Sequence, residues 1–201
     1  MDSQLESENS MQRRSTMTAA TSVAAVFLML AGCTTNRGPS AMPAQQEQRI
    51  DDGVDAAMAT LYSSTPGARE LAGKARGILV FPRVLTAGLV VGGEYGRGAL
   101  QVDGRTMGYY KTTGVSVGLQ AGAQSKALVF MFMTQDALDR FLSGNGWTAG
   151  ADASVALLKL GANGRLETPG STAAVMAFAL TNDGLMAAAT VDGTKVSKLE
   201  L

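Results

Sequence analysis

Gly114-Val115-Ser116-Val117-Gly118-Leu119-Gln120-Ala121-Gly122-Ala123 alternates without a break, and Ala127-Leu128-Val129-Phe130-Met131-Phe132-Met133 follows it as a run with no polar residue. A period of two belongs to a β-strand, whose successive side chains point to opposite faces. In the first run Val115, Val117, Leu119, Ala121 and Ala123 share one face, and that face needs a core. Gly114, Ser116, Gly118, Gln120 and Gly122 share the other, where a backbone, a helix or a ligand can come close. The second run suits a central strand covered on both sides.

Shorter runs lie on either side. Ile78-Leu79-Val80-Phe81 reads as a strand stopped by Pro82, and residues 88–94, 99–102 and 107–111 continue the β pattern. Asp103-Gly104 signals a tight hairpin, because both residues tolerate positive φ. Asn163-Gly164, Asp183-Gly184 and Asp192-Gly193 repeat the signal, so the sheet is expected to be mostly antiparallel. Residues 151–160, 172–181, 185–191 and 195–201 complete it, with 173–180 open to a helical reading. Thr134 is placed to cap a short helix, with Asp136 in its first turn and Leu138, Phe141 and Leu142 facing inward. Ser143-Gly144-Asn145-Gly146 ends that helix.

Ahead of the strands the period changes to 3.6. Ile50, Val54, Ala57, Met58 and Leu61 fall on one face of a helix over 47–63. That face can pack on the sheet or touch a membrane. Pro66 suits the first turn of a second helix ending near Lys74, with Ser64 or Thr65 as cap. The expected fold is α+β: a mostly antiparallel or barrel-like sheet, N-terminal helices, and a short helix after the central strand.

The N-terminus reads differently. Arg13 and Arg14 precede an apolar stretch over 19–30, and Leu30-Ala31-Gly32-Cys33 closes it. The layout is that of a secretory signal, too short for a spanning helix. An apolar-Ala-Gly-Cys ending is also the recognition sequence of bacterial lipoprotein processing, in which the Cys33 thiol takes a diacylglyceryl group. An ordinary secreted chain with a chance cysteine is the alternative, but no second cysteine offers a disulfide role. By resemblance to Gram-negative sorting rules, Thr34, being other than Asp, implies delivery to the outer membrane, facing the periplasm or the cell surface. Asp2, Glu6 and Glu8 suit a signal poorly, which favours Met11 as the start. The expected organisation is a leader over 1–32, lipidated Cys33 with a polar tether to residue 46, and one domain over 47–201.

Composition narrows the chemistry. Lysine plus arginine and aspartate plus glutamate each number 17, so no global charge drives nucleic-acid binding. The chain has no histidine, which removes the commonest general base and metal ligand. With Cys33 committed to lipid, thiol chemistry goes too. No cofactor or metal is expected.

Three motifs imitate catalysis. Gly114-Val115-Ser116-Val117-Gly118 matches a nucleophile elbow, but strand alternation runs through Ser116 and no histidine exists to serve it. Five residues separate Gly67 from Gly73-Lys74 where a phosphate loop has four, and Ala75 stands where Ser or Thr is needed. Gly93, Gly96 and Gly98 carry the wrong spacing for a dinucleotide loop. Asp51, Asp52, Asp55, Asp136 and Asp139 read as solvated surface, without the alternation of a calcium loop.

One charge feature stands out. Arg69, Lys74, Arg76 and Arg83 are opposed only by Glu70, and they border the glycine-rich segment carrying Arg97. Clustered cations beside apolar residues suit anionic lipid head groups; scattered solubilising charges are the plainer reading. Lys74, Arg76, Arg83, Arg97 and Lys111 are the candidate contacts.

Several blocks in order also resemble a known family. Residues 75–82 (Ala-Arg-Gly-Ile-Leu-Val-Phe-Pro) and 90–98 (Val-Val-Gly-Gly-Glu-Tyr-Gly-Arg-Gly) are similar to the opening of the SYLF lipid-binding domain. Gly118-Leu119-Gln120-Ala121-Gly122-Ala123-Gln124-Ser125 resembles its central signature, and 132–141, Gly146-Trp147 and 150–155 its bacterial branch. The likeness spans about residues 50–201. It implies a compact α+β domain that binds lipid; eukaryotic relatives are associated with phosphoinositides, membrane remodelling and actin patches. This chain has Tyr109-Tyr110-Lys111-Thr112 where those relatives show Trp-Ser-x-Pro. The expectation is therefore a non-enzymatic, lipid-anchored envelope protein whose partners are anionic bacterial lipids. A module binding an envelope protein or peptidoglycan is the alternative. An aromatic content of 5% speaks against a transmembrane barrel.

Overall fold

Pro82 does not stop its strand. In the computed structural model β1 runs over Gly77–Gly88, and its pairing with both neighbours shifts register between Phe81 and Val84 or Val80 and Arg83. The extra residue forms a bulge, which accepts a proline because that position needs no ladder N–H. β2 (Val91–Val102), β3 (Arg105–Val117) and β4 (Gly122–Phe132) are of similar length. Asp103 (φ 50°) and Gly104 (φ 73°) make the expected tight turn between β2 and β3. The structure describes residues 41–88, 91–117, 122–144, 146–160, 166–167, 173–181, 184–185, 191 and 193–200. Cys33 and the expected leader lie outside them.

Residues 42–201 form one unit. Beyond β4 come β5 (Trp147–Thr148), β6 (Val155–Leu157), β7 (Lys159–Leu160), β8 (Leu166–Glu167), β9 (Val175–Thr181), β10 (Gly184–Leu185) and β11 (Lys195–Lys198). The order across the main sheet is β10-β9-β4-β1-β2-β3-β11-β5, antiparallel at every step, and β6 joins β9 in parallel. β7 and β8 pair separately. With its helices the chain is α+β. Residues 175–181 are strand, which resolves the open helical reading.

The run 114–123 is not one strand. Residues up to Val117 end β3 and Gly122 begins β4, with β1 and β2 lying between those strands in the sheet. Both halves lie at one end of the sheet beyond the packed core, so Val115 is 74% exposed instead of buried. Residues 118–121 lie outside the described ones. The apolar run that follows behaves as expected. Leu128, Phe130 and Phe132 enter one core and Val129 and Met131 the other, all essentially inaccessible.

Two apolar layers sandwich the sheet. On one face α1 (Ala41–Ser64) packs through Ile50, Val54, Ala57, Met58 and Leu61 against Val80, Ala99, Val129 and Phe178. Its apolar stripe is therefore spent on the sheet and is not available to a membrane. The helix also begins inside the stretch expected as tether. α2 (Ala68–Lys74) is capped by Gly67 in the left-handed region, not by Ser64 or Thr65, and Thr65 is buried. On the opposite face α3 (Gln135–Ser143) packs through Ala137, Leu138 and Phe141, while Leu142 stays 45% exposed. Thr134 Oγ1 accepts from the Ala137 N–H as a cap should. Phe130, Phe132, Phe141 and Trp147 form the aromatic centre of that layer, with ring centroids 5.0–6.1 Å apart.

Candidate functional site

Beyond the edge of α1 the same face of the sheet continues with none of the described helices packed on it. Its first cross-strand row is Arg83–Arg97–Lys111, register partners on β1, β2 and β3. Adjacent strands lie about 4.8 Å apart, so the three cations stand side by side. The next row is Leu85–Tyr95–Thr113, with Lys195 beyond Thr113, and the third is Ala87–Gly93–Val115. Leu85 is 50% exposed and Tyr95 42%. Three of the five large apolar side chains most exposed among the described residues thus share this face.

Among the described residues the charges here have no counter-ion. The ion pairs among the described residues are Lys74–Glu70, Lys126–Glu94 and Arg140–Asp136, and none uses Arg83, Arg97 or Lys111. Arg97 Nε donates to Tyr95 Oη at 3.1 Å, which holds the guanidinium beside the ring. Like charges directly opposite one another on a sheet are destabilising. A row of three, bordered by exposed apolar groups, is better suited to an anionic surface than to bare solvent.

Local sequence explains why this face is built. β1 bulges at Pro82, and β2 must pass close to it. A Cβ at Gly98 would stand 2.0 Å from the Val80 carbonyl oxygen, and one at Gly96 2.9 Å from that of Arg83. The glycines of the dinucleotide look-alike therefore serve close strand packing. Behind the face, Glu94 takes Lys126 Nζ at 2.8 Å and Thr86 Oγ1 at 3.3 Å, a polar knot nearly shut from solvent.

The five candidate cations divide. Arg83, Arg97 and Lys111 come together as described. Lys74 lies at the end of α2, paired with Glu70 at 2.6 Å. Arg76 lines a different cleft with Asp55, Arg69 and Asp103, where the charges balance. From there to Arg83 is about 20 Å along β1. Sequence reasoning missed Leu85, Tyr95, Val115 and Lys195. For Leu85, Tyr95 and Val115 the signal was the period of two that links each to a cation: Arg83-x-Leu85, Tyr95-x-Arg97 and Lys111-x-Thr113-x-Val115; Lys195 arrives only through strand pairing.

Asp51 is also more than solvated surface. It accepts from Tyr109 Oη at 2.9 Å and Thr106 Oγ1 at 3.2 Å, tying α1 to β3. Burial, then the bond to this carboxylate, pushes the Tyr109 phenol up to about 12. No group of metal-ligating side chains occurs among the described residues, and no helix there is long and apolar enough to cross a membrane.

No curated protein matches the chain. Residues 113–200, which hold the end of β3, all of β4 and everything after it, match the family model Ysc84, described as Las17-binding protein actin regulator. That segment agrees with the resemblance noted from residues 118–155, and over it the chain is similar to the Ysc84, or SYLF, domain family.

Proposed function

We propose that this protein is a non-enzymatic, lipid-anchored envelope protein whose domain seats the uncovered end of its sheet on an anionic lipid surface. The observation that carries this reading is the uncompensated row Arg83–Arg97–Lys111 bordered by Leu85, Tyr95 and Val115. Each cation near an anionic membrane contributes about 1 kcal/mol. The apolar rows beyond supply the contact that α1 cannot. Similarity over residues 113–200 to a family of lipid- or actin-related modules supports the general class. Cys33, by the lipobox reading, would hold the chain at the bacterial outer membrane while the sheet engages head groups.

The test is vesicle co-sedimentation of the full chain carrying Cys33→Ser, with anionic and zwitterionic vesicles at two salt concentrations. Binding should need anionic lipid and fade with salt. The folded triple variant R83Q/R97Q/K111Q should bind about a hundredfold more weakly, at tenfold per 1.4 kcal/mol. Unchanged binding by that variant removes the cation row from the account. Binding to a protein or peptidoglycan, insensitive to salt, would favour the interaction-module reading that the family description also permits.

A further inference from the structure

A groove of about 570 Å³ runs between the flank of α1 and the sheet, opening at Arg83. It exists because α1 turns small residues toward it. Gly53, Ala56 and Ala57 fall on one flank of the helix, and Gly53 sits so close to Pro82 that a Cβ would be 2.9 Å from that ring. Arg49 stands one turn before Gly53 on the same flank, across the groove from Arg83 and the Ser125 hydroxyl. Arg49 Nε donates to the Gln45 carbonyl, and among the described residues no partner takes its terminal nitrogens. Lys126 also lines the groove, but its ammonium is held by Glu94. None of the described lining residues carries a carboxylate. The cleft on the other side of the helix differs: there Asp55 and Asp103 balance Arg69 and Arg76.

We infer that this groove is a phosphate-binding site, with Arg49 and Arg83 as its two clamps and Ser125 as a hydroxyl donor. Two guanidinium groups recognise a phosphate through paired, charge-assisted hydrogen bonds. The volume is that of a small-ligand site and admits a polar head group larger than phosphate itself. Because Arg83 also belongs to the lipid-facing row, the groove would receive one head group while its neighbours lie on the open face. This deepens the proposed lipid reading and rests on it for the source of the phosphate. The groove's own chemistry is shared by a phospholipid head group and a free phosphate ester.

Calorimetric titration of the full Cys33→Ser chain with sn-glycerol 3-phosphate and with inorganic phosphate tests the site without any membrane. Both should bind. Arg49→Gln should weaken them about tenfold, the loss of one charged hydrogen-bonding partner, while Arg140→Gln, at an exposed cation on α3 on the opposite face of the sheet, should leave them unchanged. Tighter binding of the glycerol ester than of phosphate assigns the groove to lipid head groups; equal binding assigns it to free phosphate. Arg49→Gln should retain most vesicle binding, since Arg97 and Lys111 remain. No phosphate binding by a chain that still sediments with anionic vesicles overturns the groove and spares the lipid-facing row. Loss of vesicle binding with phosphate binding intact does the reverse.

Discussion

Lys126 reaches across β1 to place its Nζ 2.8 Å from Glu94 Oε1, with both side chains at most 13% exposed. β1 lies between their strands, so this one contact clamps β4, β1 and β2 together directly behind the exposed Leu85–Tyr95 row. Thr86 Oγ1, from β1 itself, completes the knot by donating to the same oxygen. Removing one partner of a buried pair costs more than removing both, because it strands a charge without its counterpart.

Glu94→Gln should therefore lower stability by about 3 kcal/mol, whereas the apolar double variant Glu94→Leu/Lys126→Met should recover most of that loss. Urea unfolding of the two variants beside the parent measures it. A single variant as stable as the parent would show that the knot contributes nothing to this end of the sheet.

The bulge at Pro82 makes a sharper claim. Gly98→Ala would drive a methyl onto the Val80 carbonyl oxygen, whereas a Cβ at Gly93 meets nothing within 4 Å. Gly98→Ala should cost several kcal/mol, in the range reserved for core strain, and Gly93→Ala less than about 0.5 kcal/mol. Thermal melts of the pair decide it; equal melting temperatures would mean that the strands do not approach as described.

Much of this was open to a reader of the sequence, and the exceptions share a cause. The stripe Ile50, Val54, Ala57, Met58 and Leu61, the Thr134 cap and the doubly buried run before Met133 are local patterns, and each sits where its period demands. Register is not local. A two-residue turn at Asp103-Gly104 pairs Gln101 with Thr106, and continued without interruption it would set Arg97 opposite Tyr110. A shift between Leu100 and Gln101 moves Arg97 opposite Lys111 instead, and that single residue puts the cations on one face. Likewise Val115 belongs to an apolar alternation that resembles a core strand, and only the length of the sheet beyond α1 leaves it in solvent. The grouping of Lys74 and Arg76 with Arg83 failed for the opposite reason. Nearness along an extended strand is distance in space.

Tyr109 offers a test by pH. Its folded phenol is pushed up to about 12 from an ordinary value near 10, through burial and the hydrogen bond to Asp51. A raised folded value means that the stabilisation is whole below pH 10 and is lost as pH climbs from 10 towards 12. Ultraviolet titration should show one tyrosine ionising late, and Tyr109→Phe should remove it. Asp51→Ala should bring that ionisation back towards 10. A late tyrosine that persists in Tyr109→Phe would assign the shift to another residue, with Tyr110, raised by burial, the first candidate.

Two exposed positions on one strand would tell which end of the molecule engages lipid under the proposed reading. Val115 is 74% exposed at the uncovered end of β3, and Met107, 60% exposed, lies near the other end beside the Asp103-Gly104 turn. Eight residues of extended chain put them about 26 Å apart, a large fraction of a bilayer's hydrocarbon thickness. Cys33 is the sole cysteine, so Cys33→Ser with either Val115→Cys or Met107→Cys gives a single labelling site. Both positions are solvent-facing, where substitutions cost little stability. An environment-sensitive fluorophore at position 115 should shift to the blue on addition of anionic vesicles, and its shift should disappear in the R83Q/R97Q/K111Q background. The same probe at position 107 should not respond. A response at 107 and none at 115 would turn the molecule over, and the lipid contact would then have to be sought at the Arg76 end of β1.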